Sequence, residues 1–208
     1  MPSHASHIDP VITFDLLGVP TSFIAKKELF KIPIFSQALK HGRVIPIDRT
    51  NLANAIESLK IAQKYANNGR SIVIAPEGTR RRKRSFEDQP NIFEFKKGPF
   101  HLVKNTGLKI VPIIYVGANR LWSPGRLGVA QGNVYVKVCE PIPFEKIKGL
   151  SMEEMMQLVR DTMIENSHPR ADNEIFIENR WTALWIIGFW VCVLWSFKIF
   201  KNLMNCWL

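Results

Sequence analysis

The stretch Ser71-Ile72-Val73-Ile74-Ala75-Pro76-Glu77-Gly78-Thr79-Arg80 decides the fold class of this chain. Its first half is a short, continuous apolar run, which predicts a buried strand because it is too short for a helix. Its second half turns polar at once. In α/β sheets, ligands bind beyond the carboxyl ends of the strands. We therefore expect the polar half to lie at the functional edge of a sheet.

Strand and helix patterns alternate on both sides of this stretch. Several segments have apolar residues at helical spacing, and glycines such as Gly18 and Gly107 mark where these predicted helices end. Ser151 begins a capping box, which marks the start of another helix. The predicted strands are 21–25, 44–47, 71–75, 109–116 and 134–138. The predicted helices are 10–18, a short helix that opens at 26–29, 51–67, 96–107 and 151–166. This order predicts an α/β fold with a mixed, partly parallel sheet flanked by helices.

Composition favours an anionic partner. The 208 residues carry a formal net charge of +10, which is unusually high. Their hydrophobic content of 46% is ordinary. No nucleic-acid motif accompanies the basic residues, so we expect a phosphorylated ligand and an anionic membrane rather than nucleic acid. The histidines and cysteines lack the spacing of a metal site, and we expect neither a metal nor a cofactor.

The chain divides into three predicted parts: a domain over 1–167, a polar linker over 168–180 and a hydrophobic tail over 181–208. Residues 181–197 are almost wholly apolar and include four tryptophans. Their length is near the minimum for a membrane span, and tryptophans are typical of the interfacial zone. We expect a C-terminal membrane segment, spanning or re-entrant. A buried core helix is the alternative.

His4 and Asp9 form a candidate catalytic pair near the start of the chain. Asp9-Pro10 suits a helix start, with Asp9 as N-cap, so a loop can fold the His4 ring back onto the carboxylate. That contact would leave the second ring nitrogen as a general base. The alternative is a plain helix cap beside a mobile histidine. For Ser6, a turn hydrogen bond is a better interpretation than a nucleophile.

Four blocks together resemble the glycerolipid acyltransferase family, of the lysophosphatidic-acid acyltransferase type. The first is the His4-x4-Asp9 pair, and the third is Pro76-Glu77-Gly78-Thr79-Arg80. The second covers 23–33 and 42–49, and the fourth covers 110–116. Ser3 stands where the family usually has asparagine.

The resemblance implies a role for each matched residue. His4 would be the general base and Asp9 its orienting partner, with no acyl-enzyme. The residues implied in binding the substrate phosphate are Lys26, Arg49, Glu77, Gly78, Thr79 and Arg80. Glu77 cannot bind phosphate directly, and would orient Arg80 or bond a glycerol hydroxyl. Two alternatives stay open: Lys26 as part of a solvated helix start, and Arg49 as the ion-pair partner of Asp48.

The implied function is acyl-CoA-dependent transfer of a fatty acyl group to the hydroxyl of a lysophosphatidic acid, a related lysophospholipid or glycerol phosphate. The basic run 80–84 would then lie on anionic headgroups, with a nuclear-localisation or nucleic-acid role as the weaker alternative. The expected location is a membrane, in a eukaryote the endoplasmic reticulum, with the site facing the cytoplasm. Because the family has a further strand ahead of the first block, the alternative is a catalytically silent, N-terminally truncated fragment that only binds membranes.

Overall fold

Strands and helices alternate along most of the chain, as the sequence pattern predicts. The computed structural model describes residues 1–4, 6–33, 35–78, 92–122, 130, 132–167 and 175–178. In chain order the elements are α1 (Asp9–Leu17), β1 (Thr21–Lys26), a 3₁₀ helix (Lys27–Lys31), α2 (Phe35–His41), β2 (Ile45–Ile47), α3 (Leu52–Asn67), β3 (Ser71–Val73), α4 (Lys97–Thr106), β4 (Ile113–Val116), α5 (Ala118–Leu121), β5 (Asn133–Val138), α6 (Phe144–Ile147), α7 (Met152–Glu165) and β6 (Ile175–Glu178).

A parallel sheet carries the segments that matter for function. β1 lies in the centre, with β2 on one side and β3 on the other. Lys26 pairs with Ile47 at the carboxyl end of β2, and Phe23 pairs with Val73 at the end of β3. Because all three strands point the same way, the residues that follow them emerge at one edge.

A second sheet, β4-β5-β6 in order, is antiparallel among the described residues. Successive residues of β4 face opposite sides. Ile113 and Tyr115 pack in an apolar cluster with Ile8 and Ile12 around α1. Ile114 belongs to a larger cluster that includes residues of α4 and α7. β4 is therefore covered on both faces.

The helix boundaries follow the local signals. α1 and α4 end at Gly18 and Gly107, with φ of 55° and 65°, and α7 begins with the capping box of Ser151 and Glu154. One boundary differs from the prediction: Asp9 is the first residue of α1 and not its N-cap, which is Ile8. Asp9 instead uses its carboxylate to bind the preceding loop, at the His4 ring and the Ser6 amide.

The mixed, partly parallel α/β prediction is confirmed, with three differences in detail. The strand predicted over 109–116 is regular only from Ile113, because Pro112 has no N–H to donate and Ile110 forms only an isolated bridge with Ile142. The short helices α2, α5 and α6 were not predicted. The segment 168–180, predicted as a polar linker, contains β6, which pairs with β5.

No helix within the described ranges is both long and apolar enough to cross a bilayer. The predicted membrane segment, 181–208, lies outside those ranges.

Candidate active site

The structure brings His4 and Asp9 together. The Nδ1 atom of His4 lies 3.1 Å from Oδ2 of Asp9, whose side chain is 3% exposed. The His4 side chain is 18% exposed, so part of it reaches the surface. A hydrogen bond from Nδ1 to the carboxylate fixes the tautomer in which Nε2 can accept a proton. The pair therefore has the geometry of an oriented general base.

Hydrogen bonds between side chains and backbone groups hold the loop between the two residues. The amide of Ser6 donates to the same Oδ2 of Asp9 at 2.8 Å. Its hydroxyl donates to the carbonyl of Trp122 at 2.7 Å, and the side chain is fully buried. The hydroxyl of Ser6 thus makes a structural hydrogen bond, in agreement with the turn interpretation and against a nucleophile.

Further contacts join both ends of the loop to β4. Ser3 donates its amide to the carbonyl of Ile113 at 2.8 Å, and its hydroxyl accepts from the amide of Tyr115 at 3.1 Å. On the other side, Thr13 donates to the carbonyl of Asp9 at 2.6 Å and also bonds the Tyr115 hydroxyl. Thr13 has a single hydroxyl hydrogen, which it gives to Asp9, so Tyr115 is the donor in the second bond.

Four of the predicted phosphate-binding residues lie at the carboxyl ends of the parallel strands or just after them. Lys26 ends β1, Arg49 follows β2, and Glu77 and Gly78 follow β3. Lys26 is exposed and lies 3.6 Å from the carboxylate of Glu28, and Arg49 is also exposed. Parallel pairing brings these strand ends to one edge, as expected. Thr79 and Arg80 lie outside the described residues.

The neighbour of Lys26 has a different environment. Lys27 donates a hydrogen bond to the buried carboxylate of Asp48. The same carboxylate accepts hydrogen bonds from the backbone amide and hydroxyl of Thr50 and from the side-chain amide of Asn54. The hydrogen bond with Lys27, followed by those with Thr50 and Asn54, holds the pKa of Asp48 well below its usual range. Asp48 is thus paired with Lys27 at this strand end.

Gly78 allows the chain to turn directly after β3. Its φ is 71°, a conformation that other residues rarely adopt. A Cβ atom here would lie 3.1 Å from the Lys96 side chain. The glycine thus lets two segments pass close to each other beside Glu77.

Glu77 is buried, with 3% of its surface exposed. Its two carboxylate oxygens accept backbone N–H groups, from His4 at 2.9 Å and from Phe93 at 3.3 Å. The sequence did not predict this contact with the His4 backbone. It also did not predict the roles of Ser3, Tyr115 and Trp122. No local signal identifies them, because their partners lie 73 to 116 residues away.

Comparisons with known proteins show similarity to acyltransferases. A family model described as Acyltransferase matches residues 1–116. The 1-acyl-sn-glycerol-3-phosphate acyltransferase of Limnanthes douglasii is 32% identical over 165 residues, covering 79% of this chain and 57% of that protein. The protein of the same name from Cocos nucifera is 30% identical over 165 residues, covering 79% of this chain and 52% of its own length.

Among solved structures, the 1-acyl-sn-glycerophosphate (LPA) acyltransferase PlsC from Thermotoga maritima matches with a TM-score of 0.65 and 26% identity. The match covers 80% of this chain and 63% of that one. The chain thus spans between about half and two thirds of the length of these relatives. With its family-model match and an oriented His4–Asp9 pair, the chain belongs to the acyltransferase family.

Proposed function

We propose that the protein transfers a fatty acyl group from acyl-CoA to the hydroxyl of a lysophosphatidic acid or a related lysophospholipid. The observation that carries the proposal is the 3.1 Å contact between Nδ1 of His4 and the buried carboxylate of Asp9. The relatives named as 1-acyl-sn-glycerol-3-phosphate acyltransferases support the choice of acceptor.

In the proposed reaction, Nε2 of His4 removes the proton of the acceptor hydroxyl as its oxygen attacks the thioester carbonyl. The negative carboxylate of Asp9 stabilises the imidazolium that forms. The tetrahedral intermediate then collapses, the C–S bond breaks, and the CoA sulfur takes the proton from His4. One ester is formed and one thioester is broken, without an acyl-enzyme.

Binding of the acceptor phosphate is assigned to the edge of the parallel sheet. Lys26 and Arg49 are exposed there and supply positive charge, and Gly78 lets the backbone approach closely. The sequence match adds Thr79 and Arg80, and a guanidinium suits a phosphate because it can form two parallel hydrogen bonds. Acyl-CoA is a co-substrate, and the proposal includes no cofactor.

The proposal includes a membrane location with the site on the cytoplasmic side. The apolar composition of 181–208 and the net charge of +10 support it, because both favour contact with an anionic bilayer.

The test is transfer of labelled acyl groups by the purified protein. Acyl-CoA is supplied with lysophosphatidic acid, lysophosphatidylcholine or glycerol 3-phosphate, and acyl carrier protein thioesters are tried as donors. His4→Ala should lower the rate about 10²- to 10⁴-fold, the range that a general base contributes. Asp9→Asn should also be severe, because an amide does not stabilise the imidazolium.

His101→Ala is the matched control, because His101 is exposed on α4, and it should keep wild-type activity. A His4→Ala protein within a few fold of wild type would refute the base assignment. Folded wild-type protein that transfers to none of the acceptors would instead support the alternative of a catalytically silent, membrane-binding fragment.

A further inference from the structure

Glu77 connects three segments that are distant in sequence. It follows β3, and its carboxylate reaches the backbone of His4 on one side and of Phe93 on the other. The turn that carries Glu77 is closed by two further bonds, from the amide of Gly78 to Ala75 and from the amide of Lys96 to Pro76. The position of the carboxylate is therefore well determined by the fold.

A buried carboxylate is stable only when its oxygens receive hydrogen bonds. Each oxygen of Glu77 accepts one from a backbone amide. Bonds from N–H groups to an ionised carboxylate are stronger than those between neutral groups. Glu77 thus holds the His4 backbone by a strong contact, while Asp9 holds the imidazole ring. Glu77 and Asp9 together hold the backbone and the side chain of His4.

This arrangement disfavours direct contact of Glu77 with the acceptor. A carboxylate and a phosphate are both negative and repel each other. Both oxygens of Glu77 face backbone amides, and the residue is 3% exposed. One of the two contacts ties the carboxylate to the backbone of the residue assigned as the base.

We infer that Glu77 is a positioning residue, whose buried carboxylate sets the location of the general base through the backbone amide of His4. The inference rests on the proposed function, because it takes His4 as the base. Small displacements of a catalytic group lower the rate strongly, by up to about 100-fold for 1 Å. Losing the contact should thus affect the chemical step more than substrate binding.

The test compares Glu77→Gln with Glu57→Gln. A glutamine has one acceptor oxygen, so one of the two amides loses its partner, whereas Glu57 is an exposed residue paired only with Lys60 among its described contacts. Glu77→Gln should lower kcat about 10- to 100-fold and change the KM for the phosphorylated acceptor less than threefold. Glu57→Gln should change neither.

NMR of the imidazole nitrogens provides a second readout that does not need activity. In Glu77→Gln the ring ¹⁵N chemical shifts of His4 should change, while those of His41 and His101 stay as in wild type. If Glu77→Gln does not fold, Glu77→Asp is measured instead, because its shorter side chain keeps the charge but cannot span both amides.

Two results would overturn the inference: a raised acceptor KM with kcat unchanged, or His4 signals that stay the same in the folded variant. If wild-type protein transfers no acyl group, the proposed function fails. The NMR comparison still reports whether Glu77 controls the environment of His4, so the two failures are distinguishable.

Discussion

At the scale of single residues, adjacent positions serve different purposes. Lys26 and Lys27 are both basic, yet Lys27 bonds the buried Asp48 whereas Lys26 is exposed beside Glu28. The sequence alone could not separate them on physical grounds, because the partner of Lys27 is 21 residues away. The resemblance to the family favoured Lys26 as the phosphate ligand, and that assignment stays a prediction.

Alanine substitutions of the two lysines should have separate effects. Lys26→Ala should raise the KM for the phosphorylated acceptor about tenfold, the effect of losing a hydrogen bond of about 1.5 kcal/mol to a charged group. Its thermal stability should stay unchanged. Lys27→Ala should leave that KM unchanged and lower the unfolding midpoint. Steady-state kinetics and thermal unfolding of both variants measure this, and the reverse pattern would exchange the two roles.

The ion pair between Lys27 and Asp48 should also affect how stability depends on pH in acid. The pKa of Asp48 is lower in the folded protein than its unfolded value of 3.8. Its stabilising effect is therefore present above about pH 4 and is lost as the pH falls below that value. In Lys27→Ala this pKa should move toward normal, so the variant should lose less stability than wild type between pH 4 and pH 2.

At the scale of elements, local patterns predicted the strands and helices whose signals are strong. The apolar run of β3 and the spacing along α3 were sufficient for both. β6 was missed because it has only four residues within a polar segment, and pairing with β5 determines its conformation. α2 was missed because a helix of seven residues is too short for a periodic signal.

The position of α1, which carries Asp9, depends on Tyr115 of β4. Tyr115→Phe removes the donor to Thr13 and should lower the free energy of unfolding by about 1 kcal/mol. Burial raises the pKa of Tyr115 above its unfolded value of 10. Neutral Tyr115 therefore stabilises the fold below pH 10, and this effect is lost as the pH rises further.

Denaturant unfolding at pH 7 and between pH 10 and 11 measures both effects. The Tyr115→Phe protein should lose less stability at alkaline pH than wild type, and Tyr65→Phe, on α3, controls for loss of a hydroxyl elsewhere. Equal stability of the Tyr115→Phe and wild-type proteins at pH 7 would show that packing alone holds α1 on β4.

At the scale of the whole molecule, the sequence predicted the two catalytic candidates but not the framework around them. His4 and Asp9 are five residues apart. Local rules left their pairing open beside a plain helix cap, and the resemblance to the family favoured the pair. Ser3, Glu77 and Trp122 take part in hydrogen bonds that each join a side chain to a backbone group distant in sequence. The backbone partners carry no sequence signal, because amides and carbonyls occur at almost every residue, and only the folded topology brings the partners together.

The predicted membrane segment can be tested by deletion. Removing 181–208 should release the protein from vesicles of phosphatidylcholine and phosphatidylserine at 1 M NaCl, because binding by surface charge is screened by salt. At 0.1 M NaCl the shortened protein should bind in part, through its basic residues. Full-length protein should stay bound in both conditions, as a flotation assay measures. Release of the full-length protein at 1 M NaCl would contradict membrane insertion.

The long-range contacts of the His4 loop also determine when the site forms during folding. A six-residue motif can form locally within about a microsecond, but its contacts join positions separated by 73 to 116 residues. Closing such distances is slow, because chain entropy is lost before the contacts compensate for it. A nascent chain ending before Trp122 would contain both His4 and Asp9 and lack one of the contacts that holds them in place. Under the proposed function, competence for proton transfer would thus arise late in folding.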